Sequence, residues 1–305
     1  MPRRPHAPAP LPRDARIVVP VMGAVGGSGR STTAALLAGA LAARGSTAVL
    51  DTAPRLTSPW PSWAVEAGTG LAAVPPDQPF TRGQLLAAAS RCASPPGRGW
   101  HVLTDHQEWS GPLLPLPAEP AAWYQLAAAG GWQAVVTDTV HPAGHDTVAA
   151  RRAGHPGLSA GWCALPCAVP VLCAAATGPG VRVLQTAVMA FSAAGLPLQR
   201  AIVVFVGTGE GRAPAAVRAA SRMLRPMVSA VLGVPFDPHI RAFGMREPER
   251  LKSRTAKAGE RLAEAVIASL HATWGTPLPP APLPAVAPNP AARPCGSAAG
   301  LPGLS

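Results

Sequence analysis

The chain has 305 residues, 48% hydrophobic and 13% charged, enough for one large domain with a substantial core or two small ones. Its net charge of +11 comes almost wholly from arginine, since Lys252 and Lys257 are the only lysines, and this favours anionic partners while also fitting a solvated basic surface. No run of 18 apolar residues, no CxxC pair among the five cysteines and no secretory pattern argue against an integral membrane protein and a disulfide scaffold, and favour a cytoplasmic chain with free thiols.

Prolines 2, 5, 8, 10 and 12 crowd the start, and residues 276–305 hold nine prolines, no acid and one arginine, Arg293. Such segments bury too little apolar surface to offset chain entropy, so 1–15 and 276–305 are expected to be flexible arms around one domain at 16–275. Within it, "ARIVVPVM" (15–22) predicts a strand and 31–45 a helix closed by Gly45. "TAVLD" (47–51) predicts the second strand. The Pro-, Trp- and Gly-rich stretch 54–99 holds one helix, over "TRGQLLAAASRCA" (81–93), and 101–105 is a third strand. A helix with Pro120 in its first turn precedes the fourth strand, 133–138. Strands at 169–176, 200–207 and 228–236 then alternate with helices over about 180–195 and 213–225, and the last helix runs from Glu247 to Thr273.

Continuous apolar strands separated by helices imply an α/β fold: a doubly wound, mostly parallel sheet covered by helices on both faces. Ligands in such folds sit beyond the carboxyl ends of the strands, so the loops there carry the search for chemistry. The first is Ala24-Val25-Gly26-Gly27-Ser28-Gly29-Arg30-Ser31-Thr32. Its glycines let backbone N–H groups approach phosphate oxygens, the next helix adds its positive dipole end, and Ser31 falls where a hydroxyl can ligate Mg²⁺. Asp51 and Asp138 each end an apolar strand, where an acid can hold Mg²⁺ directly or through water. Gly207, Gly209 and Gly211 follow the sixth strand, and "GVPFDPHIRAFG" (233–244) follows the seventh.

Across residues 16–272 these segments resemble, in order, the ParA/MinD-type P-loop ATPases with their deviant Walker A motif G-K-G-G-x-G-K-[ST]-T. Residues 24–32 align with that motif, "VLDTAPR" (49–55) with the strand-two motif, "VVTDTVHPAG" (135–144) with Walker B, and "VLGVPFDPHIRAFG" with the late segment of the family. The resemblance implies ATP and Mg²⁺ as cofactors. Gly26, Gly27, Ser28, Gly29, Arg30, Ser31 and Thr32 would meet the nucleotide, and Ser31, Asp51 and Asp138 the metal. It also implies a homodimer, an unidentified protein partner, and roles in positioning or regulating DNA, division, or secretion and conjugation machinery.

Three departures stand out. Val25 replaces the lysine that in the family reaches the partner subunit's phosphates, Arg30 replaces the lysine on the β- and γ-phosphates, and Ala53 replaces the acid that contacts the attacking water. Positioning and charge stabilisation supply nearly all catalysis in phosphoryl transfer, and losing such a cation costs about 10³–10⁵-fold. The expectation is a nucleotide binder with weak or absent hydrolysis, at most a slow ATPase. The rival is a non-catalytic scaffold of the same fold that binds a protein.

Arg218, Arg222 and Arg225 share one helix face, and ParA-like relatives bind DNA non-specifically through such patches; a solvated face is the plainer reading. The stripe Leu251, Ala258, Leu262, Val266 and Leu270 reads as core packing, so no direct membrane anchor is expected. Cys163, Cys167 and Cys173 read as buried structural thiols, His141 and His145 as loop residues near the phosphates, and the tryptophans between 60 and 162 as loop anchors.

Overall fold

The computed structural model describes residues 9–74, 80–93, 99–107, 110–111 and 113–284. The strands are β1 (Ile17–Gly23), β2 (Thr47–Asp51), β3 (Ser90–Cys92), β4 (Trp100–Leu103), β5 (Ala134–Pro142), β6 (Val171–Ala175), β7 (Ile202–Val206) and β8 (Ala230–Val234). The helices are α1 (Arg30–Ala42), α2 (Trp60–Trp63), α3 (Arg82–Ala88), α4 (Pro120–Gly130), α5 (Ala143–Ala153), α6 (Leu158–Ala164), α7 (Gly178–Ala193), α8 (Ala215–Leu224), α9 (Pro238–Phe243) and α10 (Ser253–Trp274). They form the expected α/β sheet, in the order β3-β4-β2-β5-β1-β6-β7-β8, parallel except where β3 runs against β4.

Every residue of β1 and β2 is buried, because helices cover both faces and leave no solvent side for an alternating pattern. On one face Leu36, Leu37 and Leu41 of α1 meet Leu262, Val266 and Leu270 of α10 over Val19 and Val49. On the other, α7 and α8 bring Leu184, Phe191 and Leu224 onto Leu172 and Val203. β2, β4 and β5 run to one side of β1, and β6 to β8 to the other, so a crevice opens over its carboxyl end.

The helix expected over 81–93 stops at Ala88. Thr81 and Gln84 form a capping box at its start, and Ala89 turns the chain into an extended conformation. The edge strand β3 follows, alternately buried and exposed, a pattern too short to see in sequence. α5 and α6 have no counterpart among the expected elements. α5 has Val148 as its largest apolar side chain and makes contact through small residues, so closely that a Cβ on Gly144 would lie 3.0 Å from the Ala187 backbone of α7. α10 begins at Ser253 rather than Glu247, since Glu247 takes a left-handed φ of 52° and Pro248 opens a separate 3₁₀ turn. β5 continues past Asp138 to Pro142.

Parts of the expected arms lie on the domain. Leu11 and Leu278 are buried, Leu11 N–H donates to Arg44 O at 2.8 Å, and Ala281 N–H donates to Asp14 O at 2.8 Å. The remaining arm residues, 1–8 and 285–305, fall outside the described residues. Among the described residues no helix is long and apolar enough to cross a membrane.

Candidate functional site

β1 ends at Gly23, and Ala24 N–H donates to Cys173 O of β6 at 2.9 Å, which fixes where the loop leaves the sheet. The chain then turns through Gly27 (φ +71°) and Gly29 (φ +78°) into α1. Gly29 is doubly constrained: a Cβ there would lie 2.6–2.8 Å from three side-chain carbons of Val206, at the end of β7. Ser28 tucks its side chain inward beside Gly23 and is 2% exposed, whereas Gly26 and Gly27 face solvent. The N–H groups of Gly27, Gly29, Arg30, Ser31 and Thr32 take no hydrogen-bond partner among the described residues. α1 has no acid in its first turn and no side-chain cap. Unpaired donors converging on a dipole's positive end make an anion cradle.

Asp51 and Asp138 stand side by side in the register of β2 and β5, both with no exposure. Asp138 Oδ1 accepts from Arg30 Nε in a short ion pair, and Oδ2 accepts from the indole Nε1 of Trp60 at 2.8 Å. Asp51 Oδ2 accepts from the hydroxyls of Ser58 at 2.5 Å and Thr104 at 2.6 Å, and Oδ1 from Ala53 N–H at 3.1 Å. Burial pushes the Asp51 carboxyl up to about 7. The Ser58 and Thr104 hydroxyls pull it down, neighbouring Asp138 adds to the rise, and Ala53 N–H opposes it. Ser31, half-buried at the start of α1, keeps its hydroxyl free of partners among the described residues. Asp51 and Asp138 are thus neighbours across β2 and β5, and Ser31 follows Arg30, which pairs with Asp138. In this arrangement all four carboxylate oxygens already accept from the protein, Asp51 Oδ2 twice and the other three once, and the charge that would face Asp138 in a Mg²⁺ site is already supplied by Arg30.

Arg30 makes a contact that the sequence did not predict. Its side chain turns back to Asp138 instead of pointing only toward the phosphates. Ser58, Trp60 and Thr104 are the site residues that sequence reasoning missed. Trp60 read as a loop anchor, and the carboxylate its indole would meet lies in a distant strand.

Beside Thr32 lies a cavity of about 280 Å³, lined by Val206, Gly207, Pro235, Phe236, Asp237 and Ile240 among others. This is near the lower end for small-ligand pockets, roughly 300–1,000 Å³. Its wall is held by Asp237, whose carboxylate accepts from His239 N–H, Lys252 N–H and Thr255 Oγ1. Burial would raise the Asp237 carboxyl, but these donors outweigh it and hold the group below its usual range.

The structure resembles that of a ParA family ATPase from Chlorobium tepidum, with a TM-score of 0.51 and 13% identity over 82% of this chain and 99% of that one. The fold is that of the ParA/MinD P-loop ATPases. Other similar structures are Pyrococcus furiosus cell division ATPase MinD (TM-score 0.46, 17% identity, 83% of this chain and 98% of that one) and a complex of Cyanothece McdA with ATP (0.48, 15%, 83% and 96%). By sequence, no family model and no curated protein matches.

On this ParA/MinD-like fold the remaining candidates divide clearly. Val25 is 45% exposed on the outside of the loop, and Ala53 is buried. His141 Nε2 lies 3.1 Å from Ser159 Oγ, while His145 is exposed on α5. Cys163, Cys167 and Cys173 are buried, and no group of three metal-ligating side chains forms among the described residues. Burial pushes the thiols of Cys163 and Cys173 up to about 12, which leaves them poor nucleophiles. The tryptophans at 60, 100, 123, 132 and 162 are buried and Trp63 is half-buried; all but Trp132 lie in helices or strands rather than loops, and Trp109 lies outside the described residues. Arg218, Arg222 and Arg225 are exposed at α8 and its carboxyl end, opposite buried Val217, Ala220 and Leu224. The α10 stripe is occupied by contact with α1, so closely that a Cβ on Gly259 would lie 2.9 Å from Leu36 O.

Proposed function

We propose that this chain binds ATP at residues 24–32 with its base in the adjacent cavity, and hydrolyses it slowly or not at all. The observation that carries the reading is the cradle of unpaired N–H groups from Gly27 to Thr32. It needs no lysine to bind phosphate, whereas hydrolysis lacks the cation that Val25 replaces and the acid that Ala53 replaces. The general role, positioning or regulation of DNA, division or secretion/conjugation machinery, comes by analogy with ATPases of this fold. Calorimetric titration with ATP and ADP, with and without Mg²⁺, should show binding, weakened in Ser31→Ala when Mg²⁺ takes part. Phosphate release should stay below about 10⁻³ s⁻¹, the scale of unassisted GTPases. Turnover near 1 s⁻¹ would overturn the slow-hydrolysis reading. Absence of heat with either nucleotide would favour the rival, a scaffold for a protein partner, which the exposed Val25 supports.

The exposed arginines of α8 support a second contact, with DNA phosphates. Binding to duplex DNA should weaken steeply between 50 and 200 mM salt, and Arg218→Ala with Arg222→Ala should flatten that dependence by about two released counterions. A salt-independent affinity would count against it.

A further inference from the structure

The charge beside the phosphate cradle is already balanced by the protein. Both oxygens of Asp138 are engaged, one by the guanidinium of Arg30 and one by the indole of Trp60, and Asp51 is held by two hydroxyls and an amide. Arg30 is the first residue of α1, so its side chain starts within the cradle and ends on the acid. Its Nε is engaged, while the N–H groups of its two terminal nitrogens take no partner among the described residues, and its side chain is 21% exposed. A planar guanidinium can hold a carboxylate with one edge and a phosphate with another, which an ammonium point charge does less well. Carboxylate, cation, phosphate is also the sequence of charges that a divalent ion makes in a phosphate site.

We propose that Arg30 takes the divalent cation's place between Asp138 and the ligand, so that this loop binds a nucleoside di- or triphosphate without Mg²⁺. The inference rests on the nucleotide reading above. It adds that the bridging cation is part of the chain. Trp60 is then a positioning residue: by donating to Asp138 Oδ2 it fixes the carboxylate with its other oxygen toward Arg30.

The test is calorimetric titration of the full chain with ADP and ATP, in EDTA and in excess Mg²⁺. The expected result is a dissociation constant in EDTA equal to that in Mg²⁺ within about threefold, or tighter. Binding tighter in Mg²⁺ by more than that overturns the proposal while leaving the nucleotide reading intact. Absence of binding in both media removes the two together. Arg30→Gln keeps a donor for Asp138 but not the charge, and should weaken binding in EDTA at least tenfold. It should also make the affinity Mg²⁺-dependent, while Arg30→Lys retains most of the EDTA affinity. Wild-type affinity of Arg30→Gln in EDTA also overturns the proposal. The wild-type titrations decide the matter even if that variant does not fold.

Discussion

Replacing Gly29 by alanine is expected to abolish measurable nucleotide binding and to lower stability by about 2–4 kcal/mol. Two separate effects act at one Cβ. The backbone at φ +78° belongs to the left-handed region that disfavours side chains, at about 1–2 kcal/mol. The new methyl also collides with Val206, which cannot retreat because β7 is hydrogen-bonded to β6 and β8. Relief of the collision should displace the loop from Val206 and disturb the cradle of N–H groups that begins α1. Urea denaturation and calorimetry measure both losses. Adding Val206→Ala should restore part of the stability but little of the binding, because the φ penalty stays. A Gly29→Ala protein that binds ATP like the wild type would sink this account of the loop.

Asp51→Asn should stabilise the protein at pH 8 in Mg²⁺-free buffer, by at most about 4 kcal/mol on the linkage of one pKa unit to 1.36 kcal/mol. The carboxyl titrates near 7 in the fold, against an ordinary value of 3.8. A group raised on folding contributes its full stability below the unfolded value, and that contribution is lost as pH rises through the folded one. The wild type should therefore weaken progressively between about pH 4 and pH 7 through this residue, and the asparagine variant should not. An asparagine suits the site: its oxygen can accept from Ala53 N–H, and its NH₂ can donate to the hydroxyls of Ser58 and Thr104, which reverse roles. Thermal midpoints from pH 4.5 to 8.5 test the claim. A variant less stable than the wild type at pH 8 would contradict it.

Most of the sheet was legible because fully buried parallel strands are plain apolar runs, as in "IVVPVMG" and "IVVFV". The glycine loop and the two acids were legible because each sits where a strand ends. What stayed hidden depends on distance in the chain. Trp60 meets Asp138, Arg30 meets the same acid, and Thr104 meets Asp51, and no local pattern announces any of these pairs. α5 stayed hidden for another reason: it packs through Ala143, Gly144, Thr147 and Ala150, so it lacks the large apolar stripe that marks a helix. Arg30 shows the limit of motif alignment. Alignment gave its position and charge, while its direction depends on a buried carboxylate with no other cation to satisfy it among the described residues.

The placement of β1 also governs how the chain can be made. It precedes every other strand of the sheet in the chain yet lies inside the finished sheet, where Ile17 pairs with Ala134 and Val21 with Val171. Until β6 (Val171–Ala175) has been synthesised, this apolar strand lacks the second neighbour that completes it. Chains of this order fold slowly and expose sticky edges meanwhile. Nascent chains arrested before β6 should therefore depend on chaperones for solubility, and the nucleotide loop, anchored to Cys173, can take its shape only near the end of folding.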